Sequence, residues 1–134
     1  MSHVILVDDY KAFLHGLKLM VHEIPQVTHI NEASSGLQFL ELIRDVKPDL
    51  VFLDIRMPDI NGIEVVRNAI KLYPDIRIII LTMYGEDQYL DEARASGVKG
   101  FLLKPPSLSQ IKEAYAVVTE GGEYFPDLSS VSKS

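Results

Sequence analysis

Apolar residues follow two alternating rhythms along this chain, and the alternation predicts an architecture. Unbroken apolar runs at residues 4–7, 50–53 and 100–103 read as short strands buried on both faces. Residues 76–81 form another, interrupted only by Arg77, and residues 27–30 a weaker one, interrupted by Thr28 and His29. Between the runs the apolar spacing lengthens to three and four, the period of a helix with one buried face. Phe13, Leu17, Met20, Val21 and Ile24 mark the first such segment, stopped by Pro25. Leu37, Leu40 and Ile43 mark the second, opened by Ser35-x-x-Gln38, and Ile63, Val66 and Ile70 the third, opened by Asn61-x-x-Glu64 and ended by Tyr73-Pro74-Asp75. A fourth begins at about Glu86, turns Leu90 and Ala93 inward and closes at Ser96-Gly97; a fifth carries Ile111, Ala114 and Val118 after Ser107-x-x-Gln110 and ends near Gly121-Gly122. The opening tetrads have capping-box spacing, and Gly97 suits a left-handed helix end.

Strand then helix, five times, with short connections, predicts a parallel sheet covered by helices on both faces. Right-handed crossovers leave few topologies, and the simplest is the doubly wound, flavodoxin-like α/β sheet of five strands in the order 2-1-3-4-5. Length and composition agree: 134 residues, 47% of them hydrophobic, suit one compact domain rather than a disordered segment. A net charge of -6 without a cluster of Lys and Arg argues against nucleic-acid binding by this chain itself. No cysteine is present, which removes disulfides, thiolate chemistry and cysteine metal sites. No apolar stretch approaches a membrane span and the start lacks a signal-peptide pattern, so a cytoplasmic domain is expected.

The chemistry lies where the runs end. Asp8 and Asp9, Asp54, Thr82 and Lys104 each follow an apolar run immediately. In a parallel sheet these ends share one edge, and in the order 2-1-3-4-5 the first and third strands are neighbours at the switch point. Each residue alone has a plainer explanation: Asp9 as a helix cap, Thr82 as a strand residue, Lys104 as a solvated surface lysine. Together they crowd three carboxylates beside a hydroxyl and an ammonium. Two like charges about 4 Å apart repel by roughly 4 kcal/mol at an effective dielectric near 20, so a proton or a cation must join them. Oxygen-only donors favour a hard ion, Mg2+ above all, which in turn binds phosphate oxygens. The expected site is therefore a phosphoryl site with a carboxylate, Asp54, as nucleophile, since no cysteine and no Ser-His pair competes. His3, His15, His22 and His29 have no ligand spacing with one another, and the Tyr and Met residues at 83, 84, 89 and 115 read as packing or partner surface.

Ile5-Leu6-Val7-Asp8-Asp9, Asp54-x-x-Met57-Pro58-x-x-x-Gly62, Leu81-Thr82 and Lys104-Pro105 together resemble the signature set of response-regulator receiver domains of two-component signalling. The resemblance spans about residues 3–121. It implies Asp54 as phosphoacceptor, Asp8, Asp9, Asp54 and the Arg56 backbone carbonyl as Mg2+ ligands, Thr82 and Lys104 as phosphoryl contacts, and Phe101 as a switch aromatic. It also implies a sensor histidine kinase as donor and a Lys104-Pro105 peptide that is cis in many relatives. On phosphorylation Thr82 would be drawn toward Asp54, and Phe101 would move in from a more exposed position. Phe13-x-x-Gly16-Leu17, Leu81-Thr82-Met83-Tyr84 and Gly100-Phe101-Leu102-Leu103-Lys104 are similar to the NarL/FixJ-type subfamily, whose members carry a C-terminal helix-turn-helix DNA-binding domain. Tyr10, where that subfamily usually has His, and Pro106 depart from its pattern.

The expectation is a receiver unit over residues 1–124, then the start of a linker or tail over 125–134, within a longer regulator whose DNA-binding domain is absent here. Homodimerisation on phosphorylation is a further expectation. A turnover phosphohydrolase with the same acids would want a general acid two residues beyond the nucleophile, where this chain has Arg56. A degenerate, purely interacting receiver would lack an acid or the lysine, and none is missing.

Overall fold

A computed structural model describes residues 2–83 and 90–125. Among these residues, five strands, β1 (Ser2–Val7), β2 (Val27–Ala33), β3 (Leu50–Asp54), β4 (Ile78–Thr82) and β5 (Gly100–Leu103), alternate with five helices. These are α1 (Lys11–His22), α2 (Gly36–Leu42), α3 (Gly62–Leu72), α4 (Leu90–Ser96) and α5 (Leu108–Thr119). The strands pair in parallel in the order β2-β1-β3-β4-β5, as the alternation requires.

Side-chain alternation along each strand divides the core in two. Ile5, Val7, Val51, Leu53, Ile78, Ile80 and Phe101 face α2, α3 and α4, where Phe39, Val65, Val66, Ala69 and Ala93, with Ile43 just past the end of α2, meet them. Val4, Leu6, Leu50, Phe52, Ile79, Leu81 and Leu102 face α1 and α5 through Leu14, Leu17, Val21, Ile111, Ala114 and Val118. Every residue of β3 and β4 is buried, which is why their sequences read as continuous apolar runs.

Boundaries shift where local chemistry competes with periodicity. Helix α1 stops at His22, because the Glu23 N–H turns back to Met20 and Val21, yet Ile24 stays buried beyond the helix end. Strand β2 runs on to Ala33: it is an edge strand, so its polar residues keep one side in water while its backbone pairs with β1. In α2 the inward residue is Phe39, and Leu37 faces solvent. Ser35 caps α2 by accepting from the Gln38 N–H, but the Gln38 side chain returns to the Ser34 N–H rather than to Ser35. Asn61 caps α3 through the Ile63 N–H. At α5 the Ser107–Gln110 box closes in both directions. Strand β4 starts two residues later than its apolar run. The expected start of α4 near Glu86, and Tyr84 and Tyr89, lie outside the described residues, as does the tail from 127. Gly97 has φ +106° and closes α4 as expected. Past α5 the chain returns to the sheet: the Tyr124 N–H bonds Lys99 O at 2.8 Å, and the Phe101 N–H bonds Tyr124 O at 3.1 Å, covering the β5 edge.

Candidate functional site: an acidic crevice at the carboxyl edge

Strand register builds the site. Val7 lies beside Leu53, Asp54 beside Leu81 and Thr82 beside Leu103. The residues that follow β1 and β5 therefore arrive on either side of the end of β3. One carboxylate oxygen each from Asp8, Asp9 and Asp54 lies within 4.8 Å of the others. Asp8 and Asp54 are only 1% and 6% exposed, whereas Asp9 is open to solvent.

Lys104 closes the group. Its Nζ lies 2.5 Å from Asp8 Oδ2 and 3.5 Å from Asp54 Oδ1, with its side chain 10% exposed. The Lys104-Pro105 peptide is cis, and Pro106, buried, leads to the Ser107 cap. The other Asp8 oxygen accepts from the Tyr10 N–H at 2.9 Å, and Asp54 Oδ1 accepts from the Arg56 N–H at 3.3 Å. Tyr10, not Asp9, is the N-cap of α1 and makes no side-chain cap bond, so the capping role open to Asp9 goes unused.

Burial pushes the Asp54 carboxyl up from 3.8 to about 6; Asp8 adds to the rise, while Lys104 and the Arg56 N–H restrain it. At neutral pH Asp54 is thus mostly ionised but more basic than an ordinary aspartate, a useful property in a nucleophile. Three carboxylates against one ammonium leave an excess of two negative charges. All the donors are oxygens held close together, two of them shielded from water, so the site fits a hard divalent cation such as Mg2+. A cleft of about 520 Å3 beside them is lined by Asp9, Arg56, Met57, Pro58, Asp59 and Asn61 among others.

Thr82 is fully buried at the end of β4, and its carbonyl accepts the Lys104 N–H at 2.7 Å. Phe101 differs from its expected starting position. Its ring is wholly buried in the core beneath α4 rather than partly exposed, because strand alternation turns it inward with Ile80, its partner in register.

Several features of the site escape a reading by strand ends. Phe13 belongs to the α1 stripe in sequence, yet the centroid of its ring lies 4.4 Å from Lys104 Nζ. Asp59 accepts from the Gly36 and Leu37 N–H groups at 3.3 and 3.0 Å, tying the loop after β3 to the start of α2. The slight burial of Asp59 acts to raise its pKa, but the Leu37 and Gly36 donors outweigh it and hold the carboxyl below its usual value. His3 and His29, unrelated by spacing, stack across β1 and β2 at 5.6 Å, far from the acids along the sheet.

Fold and crevice define a class: flavodoxin-like α/β domains with an acidic, lysine-bearing pocket at the carboxyl edge of the sheet. Within that class, the chain belongs to the response regulator receiver domain family, whose model matches residues 4–116. The transcriptional regulatory protein DegU of Brevibacillus brevis is 31% identical over 121 residues, covering 90% of this chain and 51% of that protein. A LuxR-family two-component response regulator from Aurantimonas sp. SI85-9A1 has the same fold, with a TM-score of 0.91 at 24% identity over 99% of this chain and 96% of that one. The signal receiver domain of the response regulator NarL from Mycobacterium tuberculosis has a TM-score of 0.81 at 30% identity, covering 90% and 97%. The similarity to NarL/FixJ-type regulators is thus borne out. The chain spans about half the length of the curated relatives it matches.

Proposed function

We propose that this domain accepts a phosphoryl group on Asp54 from the phosphohistidine of a sensor kinase, and that the new charge switches a partner surface. The observation that carries the reading is the convergence of Asp8, Asp9, Asp54 and Lys104 at one strand edge. An Asp54 carboxylate oxygen forms a bond to phosphorus as the donor's P–N bond breaks. The electron pair leaves with the imidazole nitrogen, which takes up a proton. Asp8, Asp9, Asp54 and the Arg56 carbonyl would hold Mg2+, which supplies charge neutralisation for the transferring group when bound. Lys104 moves from Asp8 toward the phosphoryl oxygens and adds a second positive charge.

The switch follows from the same charge. The phosphoryl oxygens attract the Thr82 hydroxyl, and movement of Thr82 opens space on the sheet face it shares with Ile80 and Phe101, allowing the buried Phe101 ring to readjust under α4. Small shifts of packed groups of this kind select between discrete states. The surface of α4, β5 and α5 then alters a partner contact or a homodimer. The domain acts as a switch that assists its own phosphorylation and dephosphorylation, not as a turnover enzyme. Residues 1–124 form the receiver unit, and 125–134 begin a linker toward a helix-turn-helix output domain in a cytoplasmic regulator. No helix among the described residues is long and apolar enough to cross a membrane.

Incubation with acetyl phosphate and Mg2+ tests the reading. Wild type should gain one phosphoryl group by intact mass and Asp54→Asn none. Equal labelling of the Asn variant would sink the assignment.

A further inference from the structure

Among the described residues, two carboxylates and an aromatic face bound the Lys104 ammonium. Asp8 Oδ2 lies at 2.5 Å, Asp54 Oδ1 at 3.5 Å, and the centroid of the Phe13 ring at 4.4 Å. Phe13 stands in the first turn of α1, half-buried, packed against the core cluster that also holds Leu14 and Leu17. A lysine left near a pocket mouth has a flexible four-carbon stem and a strongly hydrated head, and it tends to extend into water. An aromatic face counters this, because its quadrupole attracts the ammonium without making a directional hydrogen bond. The N–H groups can then turn from Asp8 to a newly arrived anion. A carboxylate in place of the ring would compete with the phosphoryl group, and an aliphatic side chain would fill the space without holding the charge.

We propose that Phe13 is a positioning residue for the phosphoryl step: it holds the Lys104 ammonium inside the crevice, facing Asp54. The inference rests on the Asp54 reading above and assigns Phe13 no contact with the reacting atoms. Because Phe13 is not one of the oxygen ligands, its effect should pass through Lys104 alone.

The test is a double-mutant cycle read by the rate of phosphoryl uptake from acetyl phosphate, with Mg2+ affinity measured separately from amide chemical shifts. Phe13→Leu should slow uptake about three- to tenfold (about 0.7–1.4 kcal/mol at 1.36 kcal/mol per factor of ten) and leave Mg2+ affinity unchanged. Phe13→Tyr and Phe13→Trp, which keep a ring, should restore the rate. In a Lys104→Ala background, Phe13→Leu should have no further effect. The Lys104 ε-methylene protons should resonate upfield in wild type, from the ring current, and lose that shift in Phe13→Leu.

Wild-type rates in Phe13→Leu would overturn the proposal. So would an equal penalty in the Lys104→Ala background, or a loss of Mg2+ affinity parallel to the loss of rate. If wild type itself takes up no label, the Asp54 reading fails first; an unshifted Lys104 signal would then sink the contact as well.

Discussion

Asp54 is a carboxylate placed where its own ionisation is resisted. A carboxyl raised from 3.8 to about 6 binds its proton more tightly in the folded chain than in the unfolded one. Ionising it therefore costs stability; the cost grows from about pH 4 and is complete above about pH 6. The shift corresponds to about 1–3 kcal/mol, at 1.36 kcal/mol per unit and allowing for water at the pocket mouth. Asn in its place still accepts the Arg56 N–H, and Lys104 keeps its closer partner, Asp8. Asp54→Asn should thus be more stable than wild type at pH 7 without divalent cations, by about 1–3 kcal/mol. The advantage should shrink as the pH falls from 6 toward 4. Urea unfolding at both ends of that range checks it. An Asn variant less stable than wild type at pH 7 would mean that the attraction of Lys104 outweighs desolvation.

The β3–α3 connection decides whether these groups meet. Helix α3 starts so close to the end of β3 that a Cβ on Gly62 would lie 2.5 Å from Ile55 O and 2.6 Å from Ile55 Cα. The Gly62 N–H also donates to Ile55 O at 3.0 Å. Gly62→Ala must push the helix from the strand end, at a cost of about 2–3 kcal/mol, and shift Arg56 with it. Thermal unfolding should show the loss, and Mg2+ titration a weaker affinity; an unchanged melting temperature would refute this tight packing. The glycine was visible in sequence as part of the Asp54-to-Gly62 signature, but its backbone contact was not, because spacing says nothing of how closely two elements approach. Similar limits hid other details. Strand β2 looked weak because an edge strand carries water-facing residues such as Thr28 and His29. Leu37 looked like a core residue because periodicity alone cannot say which side of a two-turn helix faces the sheet, and Phe39 faces it instead.

Across the whole molecule, the five-strand order and the meeting of Asp8, Asp9, Asp54 and Lys104 were legible, because a parallel sheet gathers strand ends whatever their separation in sequence. Contacts that depend on side-chain reach were not: Phe13 over Lys104, Asp59 on the start of α2, and Tyr124 on the β5 edge join residues that no periodicity links. If the acids hold a divalent cation only when folded, Mg2+ must stabilise the entire domain. At ten times its dissociation constant the gain is about 1.4 kcal/mol, seen as a higher melting temperature in wild type and absent in Asp9→Asn. On the proposed reading, this edge carries a phosphoryl group on one carboxylate, Asp54. Borohydride reduction after reaction with acetyl phosphate and Mg2+ probes this at the residue itself, since it converts an aspartyl phosphate to homoserine that peptide mapping can locate. Homoserine is expected at position 54 and at no other aspartate; an unmodified Asp54, or homoserine at Asp8 or Asp9 in its stead, would rule Asp54 out as the phosphoacceptor.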